Sequence, residues 1–128
     1  MIIHSVLVVD DESKIRAIVR TALEHEAERI LEAATGSDAI AVAERERPDL
    51  IILDLGLPDM DGVEVCRSIR AWSGASILVL SARASEEEKA MLLDAGADDY
   101  ITKPFSTLEL RARVRAQARR ALMTAIPG

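Results

Sequence analysis

Apolar residues in this chain fall into two kinds of segment that alternate along its length. One kind is a short apolar run that stops on a polar residue, the first of them with one early polar break. Ile2–Val9 leads to Asp10, Asp11 and Glu12, Leu50–Leu53 leads to Asp54, and Ile77–Leu80 leads to Ser81. Such runs predict strands of a parallel sheet covered on both faces. Arg29–Ala33 and Asp99–Thr102 are shorter strand candidates. The other kind has helical spacing. Ile15, Ile18, Val19, Ala22 and Leu23 follow Ser13, which is a candidate cap. Gly36–Arg47 reads as a helix through Ala39, Ile40 and Ala43, and Pro48 ends it because proline lacks an amide hydrogen and restricts the residue before it. A loop marked by Gly56, Pro58 and Gly62 precedes a helix over Val63–Trp72. Ser85 caps the next helix, whose first turn carries Glu86, Glu87 and Glu88 where negative charge suits the free amides, and Gly96 ends it. After a turn at Lys103-Pro104-Phe105, Ser106 or Thr107 caps a last helix with apolar positions Leu108, Leu110, Ala112, Val114 and Ala118.

Five strands alternating with five helices predict an α/β fold, a parallel sheet with helices on both faces joined by right-handed crossovers. The expected domain covers residues 1–121, and 122–128 read as the start of a linker or the chain end.

Composition narrows the picture. Hydrophobic residues are 49% of the 128 but aromatics only 2%, so the core must be aliphatic. The lone Cys66 has no disulfide partner and reads as a small buried hydrophobe. No apolar run approaches the ~18 residues of a membrane span, and the start is too short and acidic for a secretory signal. A cytoplasmic protein is therefore expected, with no membrane partner. The net charge of −6 is unevenly spread: residues 111–128 carry Arg111, Arg113, Arg115, Arg119 and Arg120 and no acid. The remainder should repel nucleic acid phosphates, and the arginines read as a solvated helix face without specific DNA binding. His4 and His25 lack metal-ligand spacing, and no Walker, GxGxxG, CxxC or HExxH pattern occurs.

The strand ends hold the candidate chemistry, because ligands of open parallel sheets bind beyond the carboxyl ends of the strands. Asp10 and Asp11 follow the first strand, Asp54 the third, Ser81 ends the fourth and Lys103 follows the fifth. A strand order of 2-1-3-4-5 would gather the three aspartates into one pocket. Crowded carboxylates repel by up to about 4 kcal/mol per pair at 4 Å separation and an effective dielectric near 20, so they need a proton, a cation or a metal. Magnesium (Mg2+) suits oxygen ligands of this type. An aspartate can accept a phosphoryl group as an acyl phosphate, with cations offsetting the incoming charge. Asp54 is the expected acceptor. Asp10, Asp11, Asp54 and the Gly56 carbonyl are expected around the metal, with Ser81 and Lys103 on the phosphoryl oxygens. The same groups would also serve a magnesium-dependent aspartyl phosphatase, and a third reading is an interaction module that takes no phosphate.

The stretches VLVVDDE at 6–12, PDLIILDLGLPDMDG at 48–62, VLSAR at 79–83 and AGADDYITKPF at 95–105 resemble the receiver domains of two-component response regulators. The likeness is greatest to the subfamily with a winged-helix DNA-binding domain, and within it to regulators of potassium-transport operons. The resemblance implies a flavodoxin-like sheet of order 2-1-3-4-5, Asp54 as phosphoacceptor, Asp11 as direct and Asp10 as water-mediated magnesium ligand, and a cis Lys103-Pro104 peptide. It implies a sensor histidine kinase as phosphodonor and an output domain, absent from this chain, that binds DNA. It also implies a switch, in which Ser81 moves to the phosphoryl group, Tyr100 turns inward, and the face of the fourth helix, fifth strand and fifth helix pairs with a second copy. Lys89 with Glu109, and Asp99 with Arg113, would be salt bridges across that homodimer. Two positions depart from the pattern: Ser81 stands where threonine is commoner, and Arg111 where many relatives are apolar.

Overall fold

The computed structural model describes residues 2–83 and 85–125. Its elements are β1 (Ile3–Val9), α1 (Ser13–Leu23), β2 (Ala27–Ala33), α2 (Gly36–Glu46), β3 (Leu50–Leu53), α3 (Gly62–Arg70), β4 (Ser76–Ser81), α4 (Glu86–Asp94), β5 (Asp99–Thr102) and α5 (Thr107–Ala125). The five strands form one parallel sheet in the order β2-β1-β3-β4-β5, as expected.

The apolar runs are explained by burial on both faces. Side chains alternate across a strand, so each central strand serves two cores. Val6, Val8, Leu50, Ile52, Leu78 and Leu80 pack with Val19, Ala22 and Leu23 of α1 and Leu110 and Val114 of α5. Leu7, Val9, Ile51, Leu53, Ile77 and Val79 pack with Ala39 and Ala43 of α2, Val63, Val65, Cys66 and Ile69 of α3, and Leu92 of α4. Cys66 is fully buried in the second layer, and burial pushes its thiol pKa up.

Local chemistry sets the element ends. Thr35, Asp61 and Ser85 cap α2, α3 and α4, each accepting a backbone amide. Arg47 closes α2 in the left-handed region at φ 49°, just before Pro48. Gly96, at φ +112°, turns the chain out of α4 into β5, and a Cβ there would lie 2.6 Å from Arg70 Cγ.

Two expectations are corrected. Ser13 is the first helical residue rather than a cap; Glu12 holds the cap position without a side-chain bond, and the turn is fastened instead by Asp10 Oδ1, which accepts the Glu12 amide at 2.9 Å. In α5, Leu108 is 70% exposed and Ala112 is exposed too, while Leu110, Val114 and Gln117 face inward. Positions 110, 114 and 117 follow the helical period, whereas 108 and 112 lie on another face of the helix. The helix continues through 121 to Ala125, and 126–128, the rest of the expected linker, lie outside the described residues. Among the described residues no helix is long and apolar enough to cross a membrane.

Candidate functional site

The sheet register brings the candidate residues together. Val9 pairs with Leu53, so Asp10 and Asp54 occupy equivalent places one residue beyond adjacent strands. The Asp54 amide donates to Val9 O at 2.9 Å, which holds the two strand ends together. Ser81 pairs with Thr102, and Lys103 follows directly, its amide donating to Ser81 O at 2.8 Å. Lys103-Pro104 is a cis peptide. The Lys103 side chain reaches back across the strand ends, with Nζ 2.9 Å from Asp10 Oδ2 and 3.3 Å from Asp54 Oδ1.

One ammonium thus serves two nearly buried carboxylates. Asp10 is 2% exposed and Asp54 8%. Burial raises the Asp54 pKa, Asp10 raises it further, and Lys103 and the Leu55 amide offset only part of this. Lys103 shows the complementary balance: burial pulls its pKa down, but its bond to Asp10 and the charge of Asp54 outweigh that and raise it. The pocket therefore remains short of positive charge even with the lysine in place.

The carboxylate oxygens of Asp10, Asp11 and Glu12 lie within 4.8 Å of one another, a group able to hold a metal ion. Asp54 meets this group through Lys103 and Asp10. Gly56 lies beside the Asp54 carboxylate, since a Cβ on it would stand 3.7 Å from Asp54 Oδ2. Gly62 seals the same loop: a Cβ there would fall 2.6 Å from Leu55 Cα and 2.7 Å from Asp54 O, so only glycine lets the loop press against the strand end.

Ser81 is 2% exposed and its Oγ accepts the Arg83 amide at 3.2 Å. Tyr100 is half-buried, packed against the core layer of α3 and α4. Its phenol oxygen is buried with no partner in bonding geometry among the described residues; burial raises its pKa, eased by the Ser81 hydroxyl beside it. Lys89 Nζ lies 5.4 Å from the Tyr100 ring centre.

The residues expected to pair across a dimer are already engaged within the chain. Arg113 Nη1 is 3.2 Å from both Asp99 oxygens and Nη2 is 3.5 Å from Glu109 Oε2, while Lys89 covers Tyr100. Arg111 lines a surface groove between α1 and α5.

Sequence reasoning missed Glu12 and the ion pairs of Arg83 with Asp61 and Glu88. Glu12 was legible as the third acid in succession. The Arg83 contacts were not, because they join positions 22 and 5 residues apart across two loops. Beside Lys103 lies an apolar groove of about 460 Å³ lined by Ile15, Ile18, Ala82, Pro104 and Phe105.

Residues 6–115 match the family described as the response regulator receiver domain. The KDP operon transcriptional regulatory protein KdpE of Escherichia coli strain K12 is 51% identical over 123 residues, which are 96% of this chain and 55% of that protein. The transcriptional regulatory protein KdpE of Mycobacterium tuberculosis strain H37Rv is 48% identical over 115 residues, 90% of this chain and 51% of that protein. Among solved structures, the response regulator DrrB of Thermotoga maritima, an OmpR/PhoB homolog, superposes with a TM-score of 0.84 at 33% identity, over 94% of this chain and 54% of DrrB. The chain spans about half the length of each of these relatives.

Proposed function

We propose, for a chain that belongs to the response regulator receiver domain family, that Asp54 accepts a phosphoryl group and that the domain acts as a phosphorylation switch. The observation that carries this reading is the single Lys103 ammonium shared by Asp10 and Asp54 beyond adjacent strands. It leaves a buried acid cluster undercompensated, as a site that recruits further positive charge should be. An Asp54 carboxylate oxygen attacks phosphorus, the new P–O bond forms as the donor's P–N bond breaks, and the donor imidazole leaves. Lys103 lies within reach of the acceptor carboxylate and offsets the charge that arrives, and the Ser81 hydroxyl can donate to a phosphoryl oxygen once it swings from the Arg83 amide. Asp10, Asp11 and Asp54, with the Gly56 carbonyl, would hold a magnesium ion whose charge neutralises the phosphoryl oxygens. The donor set fits: its ligands are hard oxygens, and two of them, the Asp10 and Asp11 carboxylates, already lie close together beside Glu12.

The phosphodonor on this reading is a phosphohistidine on a sensor histidine kinase, and the apolar groove beside Lys103 is a surface on which a protein donor can rest. The output is a homodimer through α4, β5 and α5, with Lys89, Asp99, Glu109 and Arg113 exchanging their internal contacts for contacts with the second copy. Such exposed pairs contribute about 0.2–1 kcal/mol each, so they set register more than affinity. The dimer in turn places a DNA-binding domain beyond this chain on paired sites, in the cytoplasm, at operons of the kind the KdpE relatives are named for.

Incubation with acetyl phosphate and magnesium tests the central step. Intact-mass spectrometry should show one added phosphoryl group, dependent on the metal and absent from Asp54→Asn. No modification of the wild type, or the same modification of the variant, would sink the reading. Rapid multiple turnover of small phosphate esters would point to a phosphatase instead.

A further inference from the structure

We infer that Arg83 is a charge-exchanging strap that releases the first turn of α4 when the acceptor gains its phosphoryl group. The inference rests on the phosphoryl-acceptor reading and adds a coupling residue to it.

Arg83 stands two residues beyond Ser81, on the β4–α4 loop, and its side chain spans three segments. Nη1 lies 3.1 Å from Asp61 Oδ2, and Nε lies 3.7 Å from Glu88 Oε2. Asp61 belongs to the acceptor loop, since it caps α3 through the Val63 amide and bridges to Gly56, two residues after Asp54. Glu88 belongs to α4, where its amide donates to Ser85 Oγ and its carboxylate meets the same hydroxyl at 3.1 Å. One guanidinium therefore ties the acceptor loop to the start of α4, across a cleft of about 170 Å³ lined by Leu55, Asp61, Arg83, Glu88 and Leu92. Asp61, Glu88 and Asp54 all raise the pKa of Arg83, so the acceptor's charge already reaches it.

A phosphoryl group on Asp54 adds a multiply charged anion with three acceptor oxygens. The guanidinium is permanently charged and forked, the geometry that suits phosphoryl oxygens better than two separate carboxylates. At 40% side-chain exposure Arg83 has room to turn. When it turns, Glu88 loses its outside partner, and α4 keeps only its own cap.

Hydrogen exchange of the α4 amides reads this directly. In the wild type, kept dilute enough that the modified chain stays monomeric, modification with acetyl phosphate and magnesium should speed exchange over Glu86–Met91 by about 1.4- to five-fold, the range that an exposed ion pair supplies. Arg83→Ala, compared at matched phosphorylation, should lose that modification-dependent change, and Glu88→Gln should lose it as well. An Arg83→Ala protein whose α4 still responds as the wild type does overturns the inference while leaving the acceptor reading intact. A wild type that takes up no phosphoryl group overturns both.

Discussion

The helices α3 and α4 have the same length, nine residues each, and almost nothing else in common. α3 buries Gly62, Val63, Val65, Cys66 and Ile69 against the sheet. α4 buries only Leu92, while Met91 is 46% and Leu93 55% exposed. Short helices are marginal by themselves and depend on packing of an apolar face. α3 is thus fastened by the core, whereas α4 is fastened mainly by its ends: Ser85 and Glu88 at the start, and at the finish Gly96, whose carbonyl accepts from Arg70 at 2.8 Å. Elements with few buried apolar contacts open at low free energy. The two helices pack against the same core layer, α3 starting after β3 and α4 after β4, so the less deeply anchored helix begins on the side of Ser81 and not on the side of Asp54.

The largest effect that separates them is in the core. Ile69→Ala in α3 removes a fully buried side chain and should cost about 2–5 kcal/mol. Leu93→Ala in α4 should stay within about 0.5 kcal/mol, as surface substitutions do. Urea denaturation of the two variants measures the gap directly. Equal losses would mean that α4 is as deeply anchored as α3 and would break the comparison.

The contrast was only partly legible in the sequence. Val63, Val65, Cys66 and Ile69 mark the buried face of α3, and the acids Glu86, Glu87 and Glu88 mark the first turn of α4. What periodicity could not reveal is which apolar residues of α4 and α5 stay outside. Met91, Leu92 and Leu93 are consecutive, so pattern alone does not choose among them, and tertiary packing selects Leu92. The same holds for Leu108, which sits in a stretch where apolar and charged residues alternate every second position, a spacing that fits no helical stripe. The fold was readable almost throughout because apolar runs ending in polar residues occur three times, separated by segments of helical spacing. The place of Asp10, Asp54 and Lys103 in one pocket followed from strand order together with chain position. The Arg83 contacts did not, because loop ion pairs carry no period and no motif.

A smaller effect tests how α4 is held. Ser85 accepts the Glu88 amide at 3.1 Å and its hydroxyl also meets the Glu88 carboxylate, a pairing close to a capping box. Ser85→Ala should cost about 1 kcal/mol. With so little core contact behind it, the loss should appear as faster amide exchange confined to α4, with α3 unchanged. Exchange that rises equally in both helices would show that they open as one unit.

The smallest effect distinguishes the caps themselves. α3 starts from a charged cap, Asp61, whereas α4 starts from a neutral serine. Burial pulls the Asp61 pKa up, but the Val63 amide and Arg83 together outweigh it and hold the carboxyl below its usual value of 3.8. A carboxylate whose pKa is depressed on folding stabilises the folded state above its unfolded value, and that contribution is lost as pH falls through the folded value. Asparagine is as good a cap as aspartate but carries no charge. Asp61→Asn should therefore be less stable than the wild type near neutral pH by no more than about 0.2–1 kcal/mol, the range of a solvent-screened pair. The gap should persist down to the unfolded value and close below it, as the wild-type carboxyl takes up its proton. Denaturation curves for both proteins at a series of pH values decide the point. A gap that does not change with pH would mean that Asp61 acts through cap geometry alone, and that its charge, and with it the pull of Arg83, contributes nothing to holding the start of α3.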